Sequence, residues 1–262
     1  MSEHIGRRSL HVVMNNGEKF GGVIDDFGTE PRMMTIVDIP RAATTSIETQ
    51  VGDPVIHYVM DTPDDNDSMS KRLWTRFSAM SLWTNFIRKG CAWTIRAGEA
   101  NLGYVDPTED PGPIDKVLDL VFNAIYQSRE RVNSKEQNRR YSEFKEKANK
   151  AIDKVIGNRR KEMLYLATIA TTPAQQGHGY GTALVKVLTI KADLEARATW
   201  LVSSNVKDNT GFYNSLGFFT VGEFTLGDDN PTWHEAPFPV AIMLREPQNA
   251  NEKVHIRASG PK

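Results

Sequence analysis

The residues that point most directly to chemistry form a short glycine-rich segment, Gln176-Gly177-His178-Gly179-Tyr180-Gly181-Thr182. The apolar run at 163–170 before it has the character of a buried strand, and the run at 183–188 after it has helical spacing. A glycine turn between a strand and a helix start leaves backbone N–H groups unpaired at the positive end of the helix dipole. The missing β-carbons let a ligand approach closely. The segment therefore predicts an anion cradle, with a diphosphate as its natural ligand.

The details of the turn separate three kinds of diphosphate site. A Walker A loop requires lysine after its last glycine, but Gly181 is followed by Thr182 and Ala183. A dinucleotide fingerprint expects an acidic residue about 20 positions further on, whereas Asp193 and Glu195 come too early. The remaining pattern is Gln/Arg-x-x-Gly-x-Gly/Ala, which residues 176–181 satisfy.

A second signature follows at a fixed distance from the first. An apolar strand at 199–204 leads to the block Asn209-Thr210-Gly211-Phe212-Tyr213-Asn214-Ser215-Leu216-Gly217-Phe218. With both signatures in this order, the chain resembles the GNAT N-acetyltransferases over about residues 160–245, and among them the elaborated fungal members with a helical insert. The resemblance implies an α/β (α+β) fold of the acyl-CoA N-acyltransferase type, with a mixed central sheet flanked by helices.

The resemblance also implies positions for an acetyl-CoA co-substrate. The pantetheine arm would pair with the backbone of the central strand, and Asn209 would lie near it. The diphosphate would be held by the turn. The implied donor-binding residues are Thr168, Ile169, Ala170, Gln175, Gln176, Gly177, His178, Gly179, Tyr180, Gly181, Thr182, Asn209 and Tyr213. For Asn209, capping of a helix N-terminus is the competing interpretation.

Tyr213 stands where the family commonly keeps a tyrosine that protonates the departing coenzyme A sulfur; aromatic packing is the alternative. The general base is less clear, because Tyr165 stands near the position where family members carry a glutamate. Glu162 is the residue assigned to this role, and Glu223, His178 and His234 are further candidates. Deprotonation through ordered water is an equal alternative. The sequence indicates no metal site.

Composition narrows the class of protein. The chain has 262 residues, a net charge of −1 and one cysteine, Cys91. Neither a nucleic-acid nor a membrane-surface binder is expected without a basic excess, and the single cysteine, expected to be buried, excludes an internal disulfide. No signal peptide or apolar run of membrane-spanning length is apparent. We expect a cytoplasmic protein, a monomer or homodimer, that acts on a small-molecule or peptide amine.

The domain organisation is predicted as one elaborated domain. It comprises an N-terminal extension at 1–30, an N-acetyltransferase domain at 31–247 and a C-terminal tail at 248–262. Periodicity predicts strands at 33–37, 91–96, 102–105, 163–170, 199–204, 218–224 and 240–244, and helices at 42–58 and 70–89.

A helical insert is predicted at 113–160. Apolar residues recur at helical spacing on both sides of the charged run 128–140, which is expected to be exposed. The insert is interpreted either as a wall of the acceptor site or as an appendage packed on the sheet. The predicted function is acetyl transfer from acetyl-CoA by direct attack of the amine. A non-catalytic acyl-CoA-binding module is the alternative, and a nucleotide-phosphate binder of another fold is a more distant one.

Overall fold

The computed structural model describes residues 28–108 and 111–248, together with the backbone of two short strands. These are β1 (Arg8–Val13) and β2 (Lys19–Ile24), which form an antiparallel pair within the predicted N-terminal extension. The predicted C-terminal tail lies outside the described residues except for Gln248.

Seven more strands and seven α-helices occupy the described residues. The strands are β3 (Arg32–Met33), β4 (Ala92–Ile95), β5 (Ala100–Val105), β6 (Leu164–Thr171), β7 (Thr199–Ser203), β8 (Phe219–Leu226) and β9 (Phe238–Arg245). The helices are α1 (Ile39–Glu48), α2 (Pro54–Met60), α3 (Met69–Arg88), α4 (Pro113–Gln127), α5 (Lys135–Val155), α6 (Tyr180–Leu194) and α7 (Val206–Ser215).

The strands β3 to β9 form a mixed sheet in the order β3-β4-β5-β6-β7-β9-β8. Only β6 and β7 pair in parallel. Alternate residues of β6 enter different cores: Leu164 and Leu166 pack in a cluster that includes Leu184 and Leu188 of α6, whereas Tyr165 packs in a cluster with Ile152 of α5. Because successive side chains of a strand point to opposite faces, α5 and α6 cover opposite faces of the sheet. The predicted α/β class and helix-flanked mixed sheet are confirmed.

The parallel pair β6–β7 diverges after two residues. The ladder holds Leu164 beside Thr199 and Tyr165 beside Trp200, and no further pairs follow. On its other edge β6 carries a bulge, because Gly103 of β5 pairs with Thr168 and Tyr104 pairs with Leu166, so that Ala167 has no partner. A bulge bends its strand. The carboxyl-terminal halves of β6 and β7 are therefore separated by a gap within the sheet.

Two predicted elements near the N-terminus have different bounds in the structure. The strand predicted at 33–37 is limited to Arg32–Met33, because the backbone and side chain of Thr35 both donate to the Asp38 carboxylate and start a 3₁₀ turn. The helix predicted at 42–58 is divided into α1 and α2. The division occurs because Asp53 caps a new helix start at Pro54.

The charged run 128–140 was predicted to be exposed, and that prediction is wrong for Gln137 and Arg140, whereas Lys135 and Arg139 beside them are exposed. Helix α5 already begins at Lys135, and Arg140 is buried. The Arg140 guanidinium donates to the carbonyl oxygens of Tyr58 at 2.7 Å and Thr232 at 2.9 Å, and its Cζ lies 5.4 Å from the Trp233 ring centroid. The buried charge of Arg140 is paired with the Glu136 carboxylate at 3.1 Å and is also contacted by backbone oxygens and an aromatic face.

Candidate active site

The glycine turn leads from β6 to α6 through a 3₁₀ turn at Pro173–Gln175. Gly177 and Gly179 have φ angles of 80° and 79°, in the left-handed region that favours glycine. An added β-carbon would meet nothing within 4 Å at either position. These glycines therefore face open space, and backbone conformation rather than internal packing requires them there. The open space leaves room for a ligand beside the N-terminus of the 15-residue helix α6.

The polar side chains of the turn stabilise its shape. The Gln176 Nε2 donates to the carbonyl oxygen of Thr171 at 3.2 Å, which ties the turn to the end of β6. The exposed His178 ring has Nδ1 3.1 Å from the carbonyl oxygen of Gln176 and stacks on Tyr180 at a centroid distance of 5.7 Å. The side chains of this segment thus contact the protein's own backbone and each other, while the start of α6 faces outward.

A cavity of about 530 Å³ occupies the gap between β6 and β7. The sequence-predicted donor-arm residues Thr168, Ile169 and Ala170 line it, together with Asn209 and Tyr213 of α7. The turn residues 175–182 follow β6 directly and are not among its lining residues. The structure thus brings the strand residues, Asn209 and Tyr213 to one cavity, with the turn at the end of the strand that forms its wall.

Asn209 does not cap helix α7. The cap is Asn205, whose side-chain oxygen accepts from the backbone N–H of Asp208 at 3.3 Å. Asn209 lies within the helix, and its backbone N–H donates to the Asn205 carbonyl oxygen. The capping interpretation of Asn209 is therefore wrong, and its amide is a polar group on the cavity wall.

Tyr213 is a buried phenol on the same wall. Its ring contacts Phe212 and Phe218 at centroid distances of 5.0 and 5.9 Å, so it contributes to packing. Its hydroxyl has no hydrogen-bond partner among the described residues. Burial, with a smaller contribution from Tyr165, raises the pKa of Tyr213 well above its ordinary value of 10, which keeps the phenol protonated at neutral pH.

None of the predicted base candidates lines the cavity. Glu162 is exposed before the first residue of β6, at the opposite end of the strand from the glycine turn, and its carbonyl oxygen accepts from Arg197 Nε at 2.8 Å. Glu223 and His234 are exposed on β8 and in the loop before β9, and His178 is exposed in the turn. The structure thus does not bring Glu162 together with Tyr213.

Tyr165, which stands near the position of the family's glutamate, is also unsuited to act as a base. It stacks on Trp200 with ring centroids 4.2 Å apart, and burial raises the pKa of its phenol to about 12. It does not line the cavity.

Asp53 is a carboxylate on the cavity wall that the sequence analysis missed. It caps α2 by accepting from the backbone N–H of Ile56 at 3.0 Å, and it accepts a second hydrogen bond from the Ser204 hydroxyl directly after β7. The Asp53-Pro54 pair is a helix-start signal in the sequence. That signal predicts a cap and says nothing about a cavity, because Ser204 lies 151 positions away.

The helical insert forms part of the cavity wall. Six residues from the end of α4, the turn after it and the first half of α5 line the cavity: Tyr126, Arg129, Val132, Asn133, Tyr141 and Phe144. They meet residues of the α1–α2 connection and of α3, which include Asp53 and Trp74. The first half of α4 differs, since Ile114 and Val117 on it are exposed.

Three further observations concern the cysteine, metal binding and membrane-spanning helices. Cys91 is buried, as predicted, and does not line the cavity. No group of histidine, cysteine or acidic side chains within the described residues is arranged to hold a metal ion. In the same part of the chain, no helix combines the length and apolar character needed to cross a membrane.

Comparison with known proteins finds similarity to acetyltransferases. Residues 144–219 match the acetyltransferase (GNAT) domain family. An uncharacterised N-acetyltransferase of Schizosaccharomyces pombe is 23% identical over 216 residues, which span 82% of each chain. These matches support membership of the GNAT acetyltransferase family.

Solved structures share the fold at low sequence identity. Arylalkylamine N-acetyltransferase 2 from Aedes aegypti superposes with a TM-score of 0.52 and 12% identity, covering 84% of this chain and 99% of its own. A crystal structure described as histone acetyltransferase HPA2 and related acetyltransferase, from Corynebacterium glutamicum, gives a TM-score of 0.47 and 19% identity, covering 84% of this chain and 96% of its own.

Proposed function

We propose that the protein transfers the acetyl group of acetyl-CoA to an amine that enters the cavity between β6 and β7. The main support for this proposal is that the parallel strands β6 and β7 diverge. Beyond Tyr165 the β7-facing edge of β6 has no ladder partner, so the backbone groups of residues 168–170 are free to pair with an extended ligand. Residues 168–170 come shortly before the glycine turn in the chain and line the same cavity as Tyr213.

The proposed donor site uses backbone more than side chains. The amides of residues 175–182 bind the diphosphate, where the helix dipole adds positive charge. The pantetheine arm then runs along residues 168–170, with Asn209 as a side-chain contact. The open space at Gly177 and Gly179 supports this arrangement, because a diphosphate needs the volume that a β-carbon and its side chain would occupy.

In the proposed reaction the amine attacks the thioester carbonyl directly. The C–N bond forms, the C–S bond breaks, and the proton released by the amine leaves the acetylated product neutral. The sulfur departs as a thiolate, the buried Tyr213 hydroxyl donates a proton to it, and the proton released by the attacking amine returns to the Tyr213 oxygen through water. A phenol is a weak acid for this role, but the apolar surroundings raise the basicity of the thiolate as well.

Asp53 is proposed as the group that receives the amine. A carboxylate on the cavity wall attracts the ammonium form and then accepts a proton, directly or through a water molecule. Its hydrogen bonds from Ile56 and Ser204 orient it. Glu162 is less suitable on geometric grounds, because it is exposed at the far end of β6 and does not line the cavity.

A non-catalytic acyl-CoA-binding module is the competing proposal. The extent of the cavity favours the enzyme, because the wall includes Asp53 and residues of the insert in addition to the strand edge and α7. Thermal unfolding with coenzyme A, ATP and NAD tests the donor site. A ligand present at 100 times its dissociation constant adds about 2.7 kcal/mol to the unfolding free energy. Stabilisation by coenzyme A but not by ATP or NAD supports both proposals. Release of free thiol from acetyl-CoA in the presence of amines supports the enzyme.

A further inference from the structure

Arg129 is a guanidinium on the cavity wall without an acidic partner among the described residues. It lies in the turn Ser128–Arg131 between the insert helices and is partly buried. Its Nη2 is 3.1 Å from the sulfur of Met60, and its Cζ lies 5.5 Å from the Tyr141 ring centroid. A thioether is a weak acceptor and a ring accepts no ordinary hydrogen bond, so most of the five guanidinium N–H groups lack a strong acceptor.

Of the other charged residues that line the larger cavity, Lys71 has a carboxylate partner and Asp53 has only neutral hydrogen-bond donors. Lys71 forms an ion pair with Asp65, and Asp53 accepts from Ser204 and from a backbone N–H. Glu130, next to Arg129, is 3.8 Å from Lys145. Among the described residues, Arg129 is therefore the cavity-lining cation that has no carboxylate partner.

A second donor lies one helical turn further along. Asn133 bonds through its backbone N–H to the Arg129 carbonyl oxygen at 3.1 Å, and its side-chain Nδ2 is buried with no hydrogen-bond partner among the described residues. Rotation of this amide toward a ligand would break no hydrogen bond there. Buried polar groups are normally paired, so an unpaired amide beside an unpaired guanidinium indicates a missing acceptor.

Arg129 and Asn133 also line a smaller cavity of about 220 Å³ beside the first. Tyr126 and Tyr141 line both cavities, and their hydroxyls are 2.9 Å apart. Lys145 contributes a second cation to the smaller cavity and lies 4.6 Å from the Tyr141 ring centroid. Arg129 and Asn133 thus lie where the two cavities share a wall, and no residue of the glycine turn lines either cavity.

We propose that the acceptor is an amine that carries an oxyanion at its other end, bound by Arg129 with Asn133 as the second donor. The planar guanidinium forms paired hydrogen bonds with a carboxylate or a tetrahedral oxyanion, and Asp53 receives the amine. An acceptor with both groups matches the opposite charges of the wall. This inference rests on the proposed acetyl transfer and adds the class of acceptor.

The test compares matched acceptors. Straight-chain ω-amino carboxylates and ω-amino phosphonates of increasing length are each paired with the alkylamine of the same length, and kcat/KM is measured with acetyl-CoA. We expect the best anionic acceptor to exceed its alkylamine by about 10-fold or more, as for a charge-assisted hydrogen bond. Arg129→Gln should remove the preference for the anionic acceptor, and Arg129→Lys should retain part of that preference. A carboxylate or phosphonate preference identifies the oxyanion.

Arg131 provides the matched control. It lies in the same turn, is exposed and lines neither cavity, so Arg131→Gln should leave both the ratio and the absolute rates unchanged. A wild-type ratio near one, or equal loss of the ratio in both variants, would overturn the inference. Acetylation of alkylamines without anionic preference would do so while leaving the proposed function intact.

If no turnover is detected, calorimetry can measure how tightly the same acceptor pairs bind to the complex of the protein with coenzyme A. Preferential binding of the anionic members, lost in Arg129→Gln, supports the inference even if acetyl transfer fails. Equal or absent binding of both members overturns it. Failure of coenzyme A itself to bind would count against the proposed function.

Discussion

The Asp53 carboxylate accepts a hydrogen bond from the Ser204 hydroxyl, and this contact joins the start of α2 to the end of β7 at the cavity. The two residues are 151 positions apart. The same carboxylate caps α2 through the Ile56 backbone N–H. Asp53 thus combines an observed structural role with the proposed role of proton acceptor, and suitable substitutions separate the two.

Asp53→Asn should retain the fold and lose activity. Asparagine caps a helix about as well as aspartate, so unfolding free energy should change by only a few tenths of a kcal/mol. Removal of a general base typically lowers the rate by about 10²–10⁴. Single-turnover acetylation and thermal unfolding measure the two effects. Asp53→Ala, which also removes the cap, should cost about 1 kcal/mol of stability. A normal rate in Asp53→Asn would exclude Asp53 as the base.

Gly179→Glu should abolish the stabilisation by coenzyme A. The φ angle of 79° strains any other residue, and the acidic side chain would occupy the proposed diphosphate site. Gly157 is the matched control, because its φ is 56° and an added β-carbon there also meets nothing within 4 Å. Gly157→Glu should lose about 1–2 kcal/mol of stability yet keep the full coenzyme A effect. Equal coenzyme A binding by both variants would mean that the donor site is elsewhere.

Tyr213→Phe should lower the single-turnover rate with little change in stability or in acetyl-CoA affinity. The ring and its contacts with Phe212 and Phe218 remain, and the hydroxyl has no partner to lose among the described residues. Loss of a positioned acid costs about 10²–10⁴ in rate. Single-turnover kinetics avoid masking by product release. A variant with an unchanged rate would reduce Tyr213 to a packing residue.

Acid should weaken the contact between β5 and the start of β7 through Asp106. Burial disfavours the charge of this carboxylate, but hydrogen bonds from Arg197, at 2.9 Å from each oxygen, and from Thr108 lower its pKa to about 2. A depressed pKa stabilises the fold above the ordinary value of 3.8, and this stability is lost as pH falls toward 2. Solvent screening reduces the value that this shift alone would give, so the contribution at neutral pH is about 1–2 kcal/mol.

The measurement for Asp106 is the unfolding free energy between about pH 6 and about pH 2, a range that spans the pKa of this carboxylate in the unfolded and folded states. Asp106→Asn should be less stable at the upper end and should depend less on pH. Identical slopes for wild type and variant would show that other carboxylates control acid unfolding.

The parts of the site that could be predicted from sequence are contiguous in the chain. The strand, glycine turn and helix at 164–194 leave local signals of periodicity and glycine spacing, and Asn209 and Tyr213 share one short helix with a recognisable pattern. Asp53 and Arg129 left no such signal. Their positions at the cavity depend on contacts between distant segments, which local patterns do not encode.

Burial of charge was also beyond local reasoning. Arg140 lies in a strongly charged run, yet its guanidinium is buried and binds the Glu136 carboxylate and the carbonyl oxygens of Tyr58 and Thr232. The role of the insert had the same limit. Two apolar stripes predict that helices pack, but the stripes do not indicate that Tyr126 and Tyr141 face a cavity whereas Ile114 is exposed.

The most direct measurement of the central claim is the stoichiometry of acetyl transfer. The protein is incubated with acetyl-CoA and a panel of amines, and free thiol and acetylated amine are quantified together in wild type, Asp53→Asn and Gly179→Glu. We expect one thiol for each acetylated amine in the wild type and a large loss of both in each variant. Stabilisation by coenzyme A with no amine-dependent thiol release from any acceptor would contradict the proposed acetyl transfer and indicate a binding module.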